Sequence, residues 1–179
     1  MRIKEKVMMS SISGFFRAGI VWWTMLMLSA LSPHAATALE NADIATRNKR
    51  SVTEAFDRWA AGGSTFFNDL ISPDVVWTVE GSGPNAGIHR GRDALMERAV
   101  RPLAARLSDP IKPVSVRIWA DGDHVIVHWE GAARARDGLA YTNRYVWIMR
   151  MQDGKAAEVN AFLDLARFDD VLRRVPAAQ

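Results

Sequence analysis

A chain of 179 residues, 49% of them hydrophobic, is long enough to bury one ordinary domain core. It carries 23 Lys+Arg against 20 Asp+Glu, but Arg2, Lys4, Lys6 and Arg17 stand against only Glu5 in the first 38 residues, so the remainder balances at 19 to 19 and the high pI is no nucleic-acid footprint. No cysteine occurs, which excludes disulfides, thiol chemistry and lipid attachment through an N-terminal Cys.

Residues 1–38 read as an export signal. Basic residues precede the apolar run Ala18 to Leu31, whose 14 residues fall short of the roughly 20 that span a bilayer. Ala36-Thr37-Ala38 fits the small-x-small cleavage pattern, so cleavage is expected after Ala38, leaving a domain at 39–179. No arginine pair marks the twin-arginine route. The expectation is a Sec-type signal and a periplasmic or secreted product with no membrane attachment after cleavage.

Asn41 is expected to cap a helix from Ala42 to about Ala61, with Val52, Ala55, Phe56 and Trp59 on one face. Gly62-Gly63 ends it. Ser64 caps a short helix, Thr65 to Ile71, which Pro73 stops. Asp74 to Glu80 is a strand, followed by a Gly-rich loop and the short run Ile88-His89-Arg90. The loop lacks the Lys-Ser/Thr ending of a phosphate cradle, and no dinucleotide motif is present. A third helix, Arg92 to Leu107, presents Leu95, Ala99, Leu103 and Leu107, and Pro102 should kink or interrupt it.

The rest is a strand meander. Asp121-Gly122, Asp137-Gly138-Leu139 and Asp153-Gly154 join strands at 111–120, 124–136, 141–151 and 156–165, and a short helix, Phe168 to Arg174, closes the chain. A two-residue loop at Asp153-Gly154 sets Met149 against Glu158, Trp147 against Asn160, Tyr145 against Phe162 and Asn143 against Asp164. A two-residue loop at Asp121-Gly122 pairs Ile118 with Val125 and Val116 with Val127. A three-residue loop with a bulge pairs Gly131 with Tyr145 and Trp129 with Trp147. The layout is α+β: a strongly curved sheet around helices, with a cavity between them. Gly131 and Ala133 should leave room beside Asn143 and Asp164.

The element order, Trp77-Thr78-Val79-Glu80-Gly81, Ala86-Gly87-Ile88-His89-Arg90-Gly91 and the closing Asp153-Gly154-Lys155 resemble the SnoaL-like branch of the nuclear transport factor 2-like superfamily, over roughly residues 43–175. The resemblance implies a cone-shaped, mixed or antiparallel sheet in the order α-α-β-β-α-β-β-β-β. Ketosteroid isomerase and limonene epoxide hydrolase belong to the same superfamily. Asp164, in Phe162-Leu163-Asp164-Leu165, is similar to the hydrolase's catalytic aspartate. The positions of that enzyme's arginine and second aspartate fall on Trp129 and Gly131. The isomerase's shuttling aspartate falls on Gly81, its tyrosine near Ala55 or Phe56, and its second aspartate near Val146. Neither catalytic set carries over intact.

Asp164 among aromatic side chains would be desolvated and suited to acid/base work, with Tyr145 and Asn143 as positioning donors. The same carboxylate also suits a cap of the final helix or a bond to Asn143. Tyr141, Trp129, Trp147, Phe162, Asn160, Trp77, Trp59, Phe56 and His89 are expected to bind the ligand. Glu158 suits a solvated rim. His124, His128 and Glu130 share the outer face and fall short of a zinc ligand set, so neither metal nor cofactor is expected. Trp119, Ile126, Val146 and Ile148 on that face suggest a homodimer, which the resemblance also implies. Three functions stay open: a cofactor-independent isomerase, cyclase or hydratase-type enzyme acting on a small hydrophobic molecule; a non-catalytic binder of such a molecule; and an interaction module whose pocket is plugged by Trp129 and Trp147. No nucleic acid is expected as partner.

Overall fold

A computed structural model of the protein describes residues 33–177. Most of the expected signal therefore lies outside the described residues. The first helix, α1 (Pro33–Ala60), contains Asn41 in its interior rather than at its start. Ala35, Ala36, Ala38 and Ala42 are the strongest helix formers, so nothing in this stretch breaks the helix before Asn41. Val52, Ala55 and Phe56 form its buried face. The helix ends where Gly62 takes φ +98° and Gly63 packs so tightly that a Cβ would lie 2.8 Å from the Arg58 carbonyl oxygen.

A five-residue helix, α2 (Phe66–Leu70), leads directly into β1 (Ile71–Val79), which begins earlier than expected. The helix ends at Leu70, so Pro73 is not what stops it. The proline sits in an irregular stretch of β1, between Ile71 and Val76, where the pairing register shifts and the missing N–H is tolerated. The hairpin partner β2 (Gly87–Arg90) follows. Next come α3 (Arg92–Leu95), a π-helical turn (Met96–Val100) and α4 (Arg101–Ala104). The Arg101 N–H reaches back to the Met96 carbonyl, a five-residue step, immediately before Pro102, which has no N–H to give. The expected interruption is thus a widened turn. Leu107 begins the next strand rather than ending this helix.

That strand, β3 (Leu107–Asp121), is followed by β4 (His124–Ala135), β5 (Ala140–Gln152), β6 (Lys155–Leu163) and the last helix, α5 (Leu165–Arg174). The sheet is open and mixed, in the order β2-β1-β6-β5-β4-β3, with β1 parallel to β6 and all other pairs antiparallel. The α+β class and the wrapped-sheet architecture are as the sequence implies.

Three registers differ from expectation. At β3–β4 the loop is Gly122-Asp123, so Ile118 pairs with Val127 and Val116 with Trp129. At β4–β5 a longer loop pairs Trp129 with Tyr145, Val127 with Trp147 and Gly131 with Asn143. Both are shifts by two positions, and each side chain keeps its face. The β5–β6 difference has larger consequences. The Asp153-Gly154 loop is as expected, and Met151 faces Ala156, but a bulge then matches Arg150 to Glu158. From there every pair moves by one. Val159, Ala161 and Leu163 point inward, while Glu158, Asn160 and Phe162 point outward.

Two apolar clusters form the interior. The larger gathers Val52 and Phe56 of α1 with Trp77, Val127, Trp129, Trp147 and Met149 of the sheet. The smaller joins Leu103, Leu107, Tyr141, Phe168, Val171 and Val175.

Candidate functional site

Between these clusters lies a cavity of about 510 Å³, a size suited to a small organic ligand. One wall is aromatic: Trp59 from the end of α1, Phe66 and Phe67 from α2, Trp77 from β1, Trp129 from β4, and Tyr145 and Trp147 from β5. The rings hold one another in place. Trp129 stacks on Tyr145 at 4.0 Å and meets Trp147 edge-on at 4.9 Å. Trp129 and Trp147 therefore touch, as a plugged pocket would require, yet the cavity beside them remains open. The opposite wall is aliphatic and comes from the helical segment, through Leu95, Met96, Ala99, Val100 and Leu103. The π turn thus faces the cavity with Met96, Ala99 and Val100. Sequence reading missed these three as site residues, although the Leu95–Ala99–Leu103 spacing marked the inward face.

The exposed lining residues cluster at one place: Gly62, Gly63 and Ser64 after α1, Ala104 at the end of α4, and Ser108, Pro110 and Lys112 in β3. The mouth opens there. Trp59 helps fix it, because its Nε1 donates to the Ile111 carbonyl at 3.0 Å.

Asp164 is not in this cavity. It is the N-cap of α5, with its carboxylate accepting from the Arg167 N–H at 3.3 Å and facing the Arg167 guanidinium at 3.3 Å; its side chain is 48% exposed. It ends β6 just where α5 begins, and the chain turns outward. Phe162, 44% exposed, and Asn160 lie on the outer face because of the β6 bulge. Glu158 is also outside and pairs with Arg150 at 2.5 Å, which holds the carboxyl below its usual range. Phe56 is buried core behind Trp59 and Trp129 rather than wall. His89 lies across from Trp77 on β2, outside the cavity lining, and burial followed by the nearby Arg98 charge lowers its pKa. The room expected beside Gly131 does not exist: a Cβ there would lie 2.7 Å from Ile111 Cδ1. Among the described residues, no three metal-ligating side chains converge.

Asn143, 3% exposed, is the one buried polar residue of the core among the described residues. Its Oδ1 accepts from two backbone groups, Arg144 N–H at 2.8 Å and Asp164 N–H at 3.0 Å. That fixes the amide, so Nδ2 donates to the Asp164 carbonyl at 2.9 Å and to the Tyr141 hydroxyl at 3.1 Å. Tyr141 in turn lies 3.1 Å from the Tyr145 hydroxyl. With Tyr141 accepting from Asn143 and donating to Tyr145, the proton of Tyr145 is left without an acceptor among the described residues. In the opposite sense the unused proton would be that of Tyr141, which does not line the cavity. Leaving a buried donor unpaired costs about 1–3 kcal/mol, so the sense that ends at the cavity wall, where an incoming group can accept, is favoured. Burial pushes both hydroxyls above the ordinary tyrosine range, and Tyr141 adds to the effect on Tyr145. Both are neutral donors at physiological pH.

The model of the SnoaL-like domain family matches residues 52–159. Comparison with curated protein sequences found no match. Solved structures match the fold. Bal32a, from a soil-derived mobile gene cassette, is 21% identical, with a TM-score of 0.60 over 72% of this chain and 98% of its own. A putative SnoaL-like polyketide cyclase from a Jannaschia species is 18% identical, with a TM-score of 0.57 over 74% of this chain and 96% of its own. A nuclear transport factor 2-like protein from Burkholderia xenovorans is 19% identical, with a TM-score of 0.54 over 72% and 97%. At these identities the likeness is one of fold.

Proposed function

This chain belongs to the SnoaL-like domain family, and from that premise we propose that it binds a small, largely apolar molecule with a flat aromatic or conjugated body. The carrying observation is the cavity lining. It is aromatic on one side and aliphatic on the other, and among the described residues it includes no carboxylate and no histidine. Acid/base turnover near neutral pH needs a group poised to exchange a proton. Asp164 is occupied as a helix cap, and Tyr145 holds its proton too tightly to act as a base. Tyr145 is suited instead to donate to a carbonyl or phenolic oxygen, so binding is favoured over acid/base catalysis.

The test is titration of the folded protein with the neutral dye N-phenyl-1-naphthylamine, followed by dye emission and by quenching of the cavity tryptophans. Binding is expected, and Ala99→Phe, which projects a ring into the cavity, is expected to abolish it while leaving the circular dichroism spectrum unchanged. Equal dye binding by both proteins sinks the reading.

We further propose that the protein acts outside the cytoplasm, on the strength of the leader pattern in residues 1–38. A homodimer is proposed through the outer sheet face. There Trp119, 52% exposed, Ile126 and Ile148 form one cross-strand row, and Val146 and Phe162 belong to the next.

A further inference from the structure

We infer that the bound molecule is an anion, with its aromatic body in the cavity and its charged group at the mouth against Lys112. This rests on the binding reading above and names the class of ligand. Among the described residues, Lys112 is the only one lining the cavity with a formal charge, and no carboxylate lines it. Most ionic side chains near the mouth are already engaged: Asp109 with Arg134, Arg58 with Asp69, and Arg101 with Glu97. Lys112 is not. Its ammonium makes no hydrogen bond or ion pair among the described residues, and it lies 3.7 Å from the point a Gly62 Cβ would occupy, beside the turn that forms the opposite lip. Ser64, on the same lip, also lines the cavity, and its hydroxyl makes no hydrogen bond among the described residues. The ammonium can only donate and the hydroxyl can donate beside it, which suits a group that accepts. The low-dielectric cavity behind them strengthens the attraction for an anion. The end of α1 lies beside Lys112, but its last carbonyls receive their bonds from the Ala61, Gly62 and Gly63 N–H groups, so the ammonium's donors stay free for an incoming group.

The experiment compares two dyes of the same shape, the anionic 1-anilinonaphthalene-8-sulfonate and the neutral N-phenyl-1-naphthylamine, on the full chain and on Lys112→Met, Lys112→Glu and Lys112→Arg. Lys112→Met is expected to weaken the sulfonate about fivefold, the scale of a partly exposed ion pair, and to leave the neutral dye within about twofold. Lys112→Glu should weaken the sulfonate further, and Lys112→Arg should restore it. Added salt should weaken the sulfonate alone, and only when residue 112 is cationic. The inference is overturned if the ratio of the two affinities is unchanged in the Met and Glu variants, or if the wild-type chain binds the neutral dye but not the sulfonate. Failure of the wild-type chain to bind either dye would instead remove the pocket reading itself.

Discussion

Replacing Asp164 separates the structural account of this residue from the catalytic one. In Asp164→Ala the α5 N-terminus loses its side-chain acceptor for the Arg167 N–H, a cap worth about 1 kcal/mol. The ion pair with Arg167 is half exposed and adds only a few tenths of a kcal/mol, after allowance for solvent screening. The total, about 1–1.5 kcal/mol, corresponds to a fall in Tm of roughly 3–5 °C for a domain of this size. Asp164→Asn keeps an acceptor oxygen and loses the charge, so it should cost only about 0.3–0.5 kcal/mol. Neither variant touches the cavity. The backbone N–H and carbonyl of residue 164 still bond Asn143, so the tyrosine chain stays in place. Urea denaturation followed by tryptophan emission gives the stability, and dye titration gives the affinity. The expected result is a graded loss of stability, Ala greater than Asn, with dye affinity unchanged within about twofold. A tenfold loss of affinity, or loss of any detected turnover, at wild-type stability would refute the placement of Asp164 as a cap and return it to the site.

Asn143→Leu removes four hydrogen bonds at once and takes the side-chain acceptor from the Arg144 and Asp164 N–H groups, while the Tyr141 hydroxyl keeps Tyr145, so unfolding free energy should fall by about 3 kcal/mol; a loss below about 1 kcal/mol would mean the network is not structural. Tyr141 and Tyr145 both hold their protons more tightly when folded than unfolded, so their contribution is complete below about pH 10 and declines as the pH rises above it. Alkaline difference absorbance should show these two tyrosines ionising only with unfolding, and Tyr145→Phe should flatten the alkaline decline; free titration of both near pH 10 in the folded protein contradicts the burial argument. Trp119→Arg and Phe162→Arg place charge on the outer sheet face and should dissociate the proposed dimer in sedimentation velocity without changing dye affinity. Sedimentation of the wild-type protein as a monomer at tens of micromolar would rule the dimer out.

Local chemistry made the architecture legible. Asp153-Gly154 marks a tight turn whatever surrounds it, and Asp153 at φ 50° and Gly154 at φ 76° take the left-handed conformations that such a turn demands. The alternation Val125, Val127, Trp129 and Tyr145, Trp147, Met149 announced an inner face, and register slips of two positions left it intact. The tryptophan wall of the cavity was therefore readable from periodicity alone. The site's polar end was not, because one bulge at Ala157 reverses every side chain after it, and no residue type advertises a bulge there. Asp164 reads identically as a buried base and as a helix cap until the chain's path beyond β6 is known. Lys112 looks like any surface lysine until the end of α1 is laid beside β3 and the cavity between the clusters acquires a mouth. What the amino-acid order determines is which faces are greasy and where the chain turns, since those follow from neighbours within a few residues. Which polar group ends at the cavity and which faces water depends on how segments far apart in the chain register, and only tertiary packing decides that.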